Sequence, residues 1–479
     1  MPIEYDAVVV GSGPNGLAAA ITLARAGCSV LACEANTTFG GGARSAELTL
    51  PGFIHDVCSA VHPLAAASPF FKTLPLERFG LTWIHPEIPL AHPLDDGSVA
   101  CLHRDIGFTA EQLRGDSRAY RRLMQPLTDN WEQLVNELLQ PMLHLPRHPF
   151  ALARFGVPAI CPATVLSKLL FKHEAARALF AGIAAHSFLP LEAAASSAFA
   201  LVLGLAGHAV GWPIPRGGSQ QISNALASYL RELGGKVEVN QPVESLNDLP
   251  KSQVILLDVS VWEFLRIAGP QLPFKYRRRL ESFRHGPGIF KIDYALSEQV
   301  PWKAEACRLA GTIHLGGGID QIATTERDVA DGKVPQRPFT LVAQQSLFDQ
   351  TRAPRGQHTL WAYCHVPLNC QIDMTDCMES QIEKLAPGFR DCILARHKMG
   401  ADDLERSNRN LAGGDINGGA ANLMQLLARP ILSPTPYRTP LRGVYLCSAS
   451  TPPGGGVHGM CGYHAASAAM RDIFGKAPE

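Results

Sequence analysis

No Cys-x-x-Cys pair occurs among the twelve cysteines of this 479-residue chain. That absence removes zinc-finger and thioredoxin-type readings, so no metal site is expected. It leaves scattered thiols of the kind found in a reducing compartment. Net charge is also missing, because 43 Lys and Arg balance 43 Asp and Glu. A neutral chain has no bulk attraction for nucleic acid, and no nucleic-acid partner is expected. Long apolar runs are absent too. The most apolar stretch, AAASSAFALVLGLA from Ala193 to Ala206, falls short of the roughly 18 to 20 residues that cross a bilayer. It reads as a buried helix, with an interfacial helix as the alternative. The opening MPIEYDAVVV has no basic segment ahead of a long apolar one, and Glu4 and Asp6 speak against a transit peptide. The expectation is a cytoplasmic chain, with membrane association through a peripheral contact left open.

What is present is glycine, in two dense stretches at opposite ends of the chain. The apolar run Ala7–Val10 reads as a strand buried on both faces. GSGPNG follows at once, then a helix-like segment to Gly27 and a second strand ending at Glu34. This is a βαβ unit with GxGxxG at its first turn and an acid about twenty residues on. Gly11 permits the turn, Gly13 lets backbone approach a pyrophosphate, and Gly16 lets helix and strand pack closely. Pro14 suits the first helical turn, beside Asn15. Glu34 accepts from a ribose 2′-OH and repels a 2′-phosphate, which selects an ADP moiety. A second glycine turn follows, with Gly40, Gly41, Gly42 and then Arg44. It supplies further backbone N–H groups and a cation along the path of a long dinucleotide, which points to FAD rather than NAD.

The far end of such a cofactor needs cover from a distant part of the chain. SASTPPGGGVHGMCGYHAASAA, from Ser448 to Ala469, offers it. The segment around Val444–Cys447 reads as a strand, and Gly454, Gly455, Gly456 and Val457 form a loop before a small-residue helix. A helix N-terminus there would favour the negative charge that a flavin gains on reduction. Between the two ends, Val254–Leu257 reads as another buried strand. Val243 is the candidate to meet adenine through its backbone.

Several stretches carry a resemblance that covers nearly the whole chain. They are HDVCSAVHPLAAASPFF (55–71), GWPIPRGGSQQISNAL (211–226), YRRRLESFRHGPGIFKIDYAL (276–296), QIEKLAPGFRDCILARH (381–397) and GGDINGGAANLMQLLARP (413–430). With both glycine loops, they resemble the phytoene desaturase-like FAD oxidoreductases, in the branch of pyridine nucleotide-disulphide oxidoreductase domain-containing protein 2. The resemblance implies an α/β protein with a glutathione-reductase-type, Rossmann-like FAD-binding domain and a mixed α+β substrate or cap domain. Both are discontinuous: 1–70, 205–270 and 405–479 for FAD, 71–204 and 271–404 for the cap. It also implies a departure at Ser448, where that family has glycine. The added hydroxyl would crowd the pyrophosphate or donate to it.

In such enzymes the flavin takes hydride and the protein positions the substrate, so no catalytic triad is expected. The candidates beside the ring are His62, Trp212 and His458, with Trp212, Pro213 and Arg216 as substrate contacts. Asp415 and Asn417 form a turn over the cofactor or an Asx turn of the framework. Apolar helices in the cap favour a hydrophobic small-molecule substrate. The LGGGID stretch at 315–320 reads as a turn, not as a second dinucleotide loop. Reoxidation is then expected from oxygen or a quinone. The expected activity is that of an FAD-dependent dehydrogenase or desaturase. A flavin isomerase without net redox change and an FAD-stabilised interaction protein are the alternatives.

Overall fold

A computed structural model describes residues 3–476. It has two sheets, and each answers to a different pattern in the sequence. The first is a five-stranded parallel sheet assembled from distant segments. Tyr5–Val10 lies between Val30–Cys33 and Ser252–Leu257, with Lys236–Glu238 and Val444–Leu446 at the two edges. Its central strands are near-continuous apolar runs because helices cover both faces. The helix Pro14–Arg25 starts at the expected proline and is buried from Asn15 to Ala24. Only small residues allow the C-terminal helix Met460–Ala469 to lie against it. A Cβ on Gly462 would stand 1.8 Å from the carbonyl oxygen of Asn15.

The second sheet has seven strands and is mixed. Its order is Ile393–Met399, Gly288–Leu296, His358–Val366, Thr340–Ala343, Ala310–Leu315, Ile88–Pro93 and Val99–Leu102. Only Ala310–Leu315 and Ile88–Pro93 pair in parallel; the other pairs are antiparallel. Strand periodicity divides the faces. Leu360, Ala362 and Cys364 enter a core with Met378 and Ile382. Trp361 and Tyr363 point the other way, toward a cavity. Helices drawn from 106–209 roof that cavity. Among them Ser196–Ala209 is the buried helix expected from the apolar run, and it turns Ala198, Phe199, Val202 and Leu203 to the opening.

The glycines at 316–318 form the turn between the strand Ala310–Leu315 and the helix Ile319–Ala330. Glu174 caps that helix by accepting from the Ile319 N–H at 2.7 Å. Cys28 and Cys33 have the Cys-x4-Cys spacing of a redox pair, but the extended strand between them spans roughly 10 Å. That is too far for a disulphide, and both thiols are free. No single described helix is long and apolar enough to cross a membrane.

Candidate functional site

One cavity of about 1010 Å³ runs from the first glycine turn to the cap helices. Its polar arm is built by the parallel sheet. Gly11, Gly13, Pro14, Asn15, Glu34, Gly41, Gly42 and Val243 line it. The two glycine turns face each other closely: a Cβ on Gly41 would lie 2.9 Å from the Cα of Gly13. Gly16 is not in the wall, and its role is packing, since a Cβ there would stand 2.1 Å from the Gly11 carbonyl oxygen.

Glu34 is buried, and both its oxygens are held. Oε2 accepts from the Ser12 N–H at 3.2 Å and from Ser12 Oγ at 2.6 Å. Oε1 accepts from the N–H and Nδ2 of Asn36 at 2.9 and 3.0 Å. Ser12 and Asn36 are thus the donors that a ribose hydroxyl would join or displace at Glu34. The Val243 carbonyl accepts from Arg266 at 3.2 Å. Asn15 Oδ1 is buried without a protein partner, an orphaned polar atom beside the pyrophosphate position. A glycine cradle, a carboxylate with replaceable donors and an unpaired amide oxygen together fit the ADP half of FAD.

The C-terminal loop forms the middle of the wall through Ser448, Gly455, Gly456, Val457 and His458. The helix behind it begins later than expected, at Met460, because Gly459 adopts φ 72°. The Met460 N–H donates to His458 Nδ1 at 3.0 Å. The loop, and not the helix N-terminus, meets the cavity. The Ser448 hydroxyl accepts from the Ser450 N–H at 3.2 Å, which turns it to its own loop. Sequence reasoning missed the positive charge here. Arg429 is 3% exposed and donates to the carbonyls of Ala449, Gly419 and Asn417 at 3.0, 3.4 and 2.7 Å. It ties these loops together behind Gly454. Asp415 accepts from His285, the Gly286 N–H and the Asn417 N–H. It is an Asx turn of the framework, while Asn417 reaches the wall.

The remaining candidates divide. His62, Trp212 and His458 line the cavity. Burial holds His62 and His458 neutral, each pushed down to about 4. Ser219 Oγ donates to the Ser59 carbonyl at 2.7 Å, so it accepts from His62 Nε2 at 2.8 Å. Arg44, Pro213 and Arg216 lie outside the wall. Arg44 donates from Nε and Nη2 to the carbonyls of Gly41 and Ser407 at 2.9 and 3.2 Å and so braces the second glycine turn. Pro213 offers its carbonyl to the His62 N–H at 2.9 Å. Arg216 is exposed to solvent, so it cannot pin a substrate inside.

Asp258, unmarked by any motif, lines the polar arm. Its Oδ2 accepts from the Gly16 N–H at 2.8 Å and would lie 2.8 Å from a Cβ on Gly13. Burial raises its carboxyl to about 7, with the Glu34 charge adding to the rise against the Gly16 hydrogen bond. The distal arm is apolar, with Leu138, Phe155, Ala159, Ile160, Phe199 and Leu341 among its walls. Trp212, Trp361 and Tyr363 supply aromatic faces.

The NAD(P)-binding Rossmann-like domain family matches residues 9–74. The chain is 28% identical over 555 residues to mouse (Mus musculus) pyridine nucleotide-disulfide oxidoreductase domain-containing protein 2, spanning 98% of this chain and 94% of the mouse protein. Hydroxyneurosporene desaturase of Cereibacter sphaeroides is 30% identical over 258 residues, 49% of each chain. Putrescine oxidase bound to putrescine has a TM-score of 0.65 at 17% identity, over 98% of this chain and 99% of that one. The fold is that of the FAD-type oxidoreductases, shared with amine oxidases, and FAD is the cofactor the cradle fits.

Proposed function

We propose that this protein is an FAD-dependent dehydrogenase or desaturase that oxidises a hydrophobic substrate and returns the electrons to oxygen or a quinone. The observation that carries the reading is the continuity of the cavity, polar at the glycine turns and apolar between cap helices and sheet. Bound flavin supplies the hydride acceptor at N5. The chain supplies the rest. Gly455–His458 form the middle of the cavity wall, and Arg429 braces their loop from behind Gly454. Phe199, Leu341 and Trp361 exclude water from the distal arm and bury an apolar molecule there. His62 and His458 stay neutral and hydrogen-bonded, so neither brings a positive charge to the cavity at neutral pH.

The mouth of the distal arm favours a peripheral membrane contact, through which such a substrate would enter. Met142, Leu152, Phe155 and Ile160 stand in the cavity wall. Their neighbours Leu145, Phe150 and Leu169 are 91%, 90% and 78% exposed. The segment 138–173 has no Asp or Glu and carries Arg147, Arg154, Lys168 and Lys172. Lys168 pairs with Asp320 at 2.7 Å, and an apolar rim that carries Arg147, Arg154 and Lys172 besides fits an anionic lipid surface.

The test is the visible spectrum of the purified protein, followed by anaerobic reduction and readmission of air. The expected result is a flavin spectrum that bleaches and recovers with oxygen, or with an added quinone. A protein that neither carries flavin nor takes it up on incubation with FAD would overturn the reading.

A further inference from the structure

Among the polar groups in the wall of the apolar arm, which include Thr312, Trp361 and Tyr363, one histidine was marked by no sequence motif. His186 sits on the short turn Ala185–Ser187. It is only partly covered and forms part of the cavity wall. Its Nε2 lies 3.0 Å from Nε2 of His314. Two imidazole nitrogens at that distance share one proton, so one ring donates and the other accepts.

Which ring donates follows from His314's other nitrogen. His314 is fully buried on the strand Ala310–Leu315, and its Nδ1 has no protein partner. A proton on Nδ1 would leave a buried N–H without a protein acceptor, which is the costlier kind of orphan. With the proton on Nε2, His314 donates to His186 and leaves only a lone pair unpaired. His92, on the neighbouring strand, shows the same arrangement: Nε2 donates to the Gly317 carbonyl at 2.8 Å and Nδ1 is unpartnered. Gly182 makes room for both rings, since a Cβ there would lie 2.8 Å from His92 Nδ1 and 2.9 Å from His314 Nδ1. These histidines do not form a metal site among the described residues.

His186, accepting at Nε2, must then carry its own proton on Nδ1. That nitrogen is not among the sealed, unpartnered atoms that include Nδ1 of His92 and His314. Trp212, at 5.7 Å between ring centroids and nearly perpendicular, fixes the ring plane. We propose that His186 Nδ1–H is a fixed hydrogen-bond donor in the apolar arm, and that the substrate is an apolar molecule bearing a hydrogen-bond acceptor, a carbonyl, ether or hydroxyl oxygen. The inference rests on the reading of this arm as the substrate cavity. Burial pushes His186 down to about 3 and holds His314 well below its ordinary value. The pair stays neutral across the physiological range. A neutral imidazole can hold an oxygen that gains negative charge without surrendering its proton.

Two measurements test this on the flavin-loaded protein. Long-range proton–nitrogen NMR of ¹⁵N-histidine-labelled protein reads the tautomer directly. The expected spectrum has His186 protonated at Nδ1 and His314 at Nε2, unchanged from pH 6 to pH 8. The opposite tautomer, or a charged His186 ring, overturns the proposal whatever the substrate. Calorimetric titration with two matched probes, 2-decanone and decane, reads the consequence. The ketone is expected to bind roughly fivefold to tenfold more tightly, the worth of one net hydrogen bond. That preference should vanish in His186→Phe and in His314→Leu. It should survive in His314→Gln, whose amide N–H stands in for imidazole Nε2–H. Equal binding of both probes to the unsubstituted protein overturns the donor. Binding of neither overturns the substrate-cavity reading and the proposal with it.

Discussion

At the scale of single residues, Asp258 gives the sharpest consequence. Its folded pKa, about 7, lies above the ordinary 3.8. Between those values the folded state binds more protons than the unfolded state, so stability falls as pH rises. The full rise corresponds to on the order of 4 kcal/mol lost by pH 8. Asp258→Asn keeps an oxygen for the Gly16 N–H and cannot ionise. Thermal melts should show this variant more stable than the unsubstituted protein at pH 8, with the gain shrinking as the pH falls to 5. A gain of equal size at both pH values would refute the linkage. Asp258 illustrates what the sequence leaves hidden. Glu34 was legible because its partner loop lies about twenty residues upstream. Asp258 meets Gly16 across 242 residues, and no local pattern encodes that meeting. Arg429 and His186 escaped for the same reason. Arg216 was misplaced because a cation in a glycine-rich loop looks the same whether it faces a cavity or solvent.

At the scale of elements, the βαβ unit was legible almost to its ends, since glycine turn, helix and strands all carry local signals. The C-terminal helix was legible by composition, but its start was not. Gly456 at φ 122° and Gly459 at φ 72° delay it to Met460, and such backbone choices are open to any glycine run. The small residues of that helix matter where they meet Pro14–Arg25. In Gly462→Ala the new Cβ would fall 1.8 Å from a backbone oxygen, and the two helices must separate. The expected cost is about 3 kcal/mol or more by overpacking, read as a lower melting temperature and weaker flavin retention, because Asn15 moves too. Gly156→Ala is the control. It lies inside the helix Pro149–Ala159 with nothing within 4 Å of its added Cβ, and helix propensity should make it neutral or stabilising by up to about 1 kcal/mol. If the two variants melt alike, the close approach is not what holds the helices.

At the scale of the whole molecule, chain order and spatial order part company. The parallel sheet takes strands from 5–10, 30–33, 236–238, 252–257 and 444–446, while the mixed sheet uses segments from 88–102 and 288–399. A resemblance implied discontinuous domains where composition could not, because every strand reads alike when taken singly. The surface around 138–173 was not anticipated either. The sequence shows apolar helices there, and only the fold reveals that Leu145, Phe150 and Leu169 face outward beside the mouth of the cavity. Two short helices, Pro149–Ala159 and Ala163–Leu170, bend 96° at their junction, a shape suited to lying on a bilayer. Burying three such side chains is worth roughly 1.5 to 3 kcal/mol each, and the neighbouring cations add attraction that salt screens. Flotation with vesicles of phosphatidylcholine and phosphatidylglycerol at 7:3 should therefore carry the protein up, less at high salt. The triple variant Leu145→Ser, Phe150→Ser, Leu169→Ser should lose at least tenfold in binding while keeping its flavin spectrum, since none of the three lines the cavity. Equal flotation of variant and unsubstituted protein would show that the apolar rim serves something other than a lipid surface.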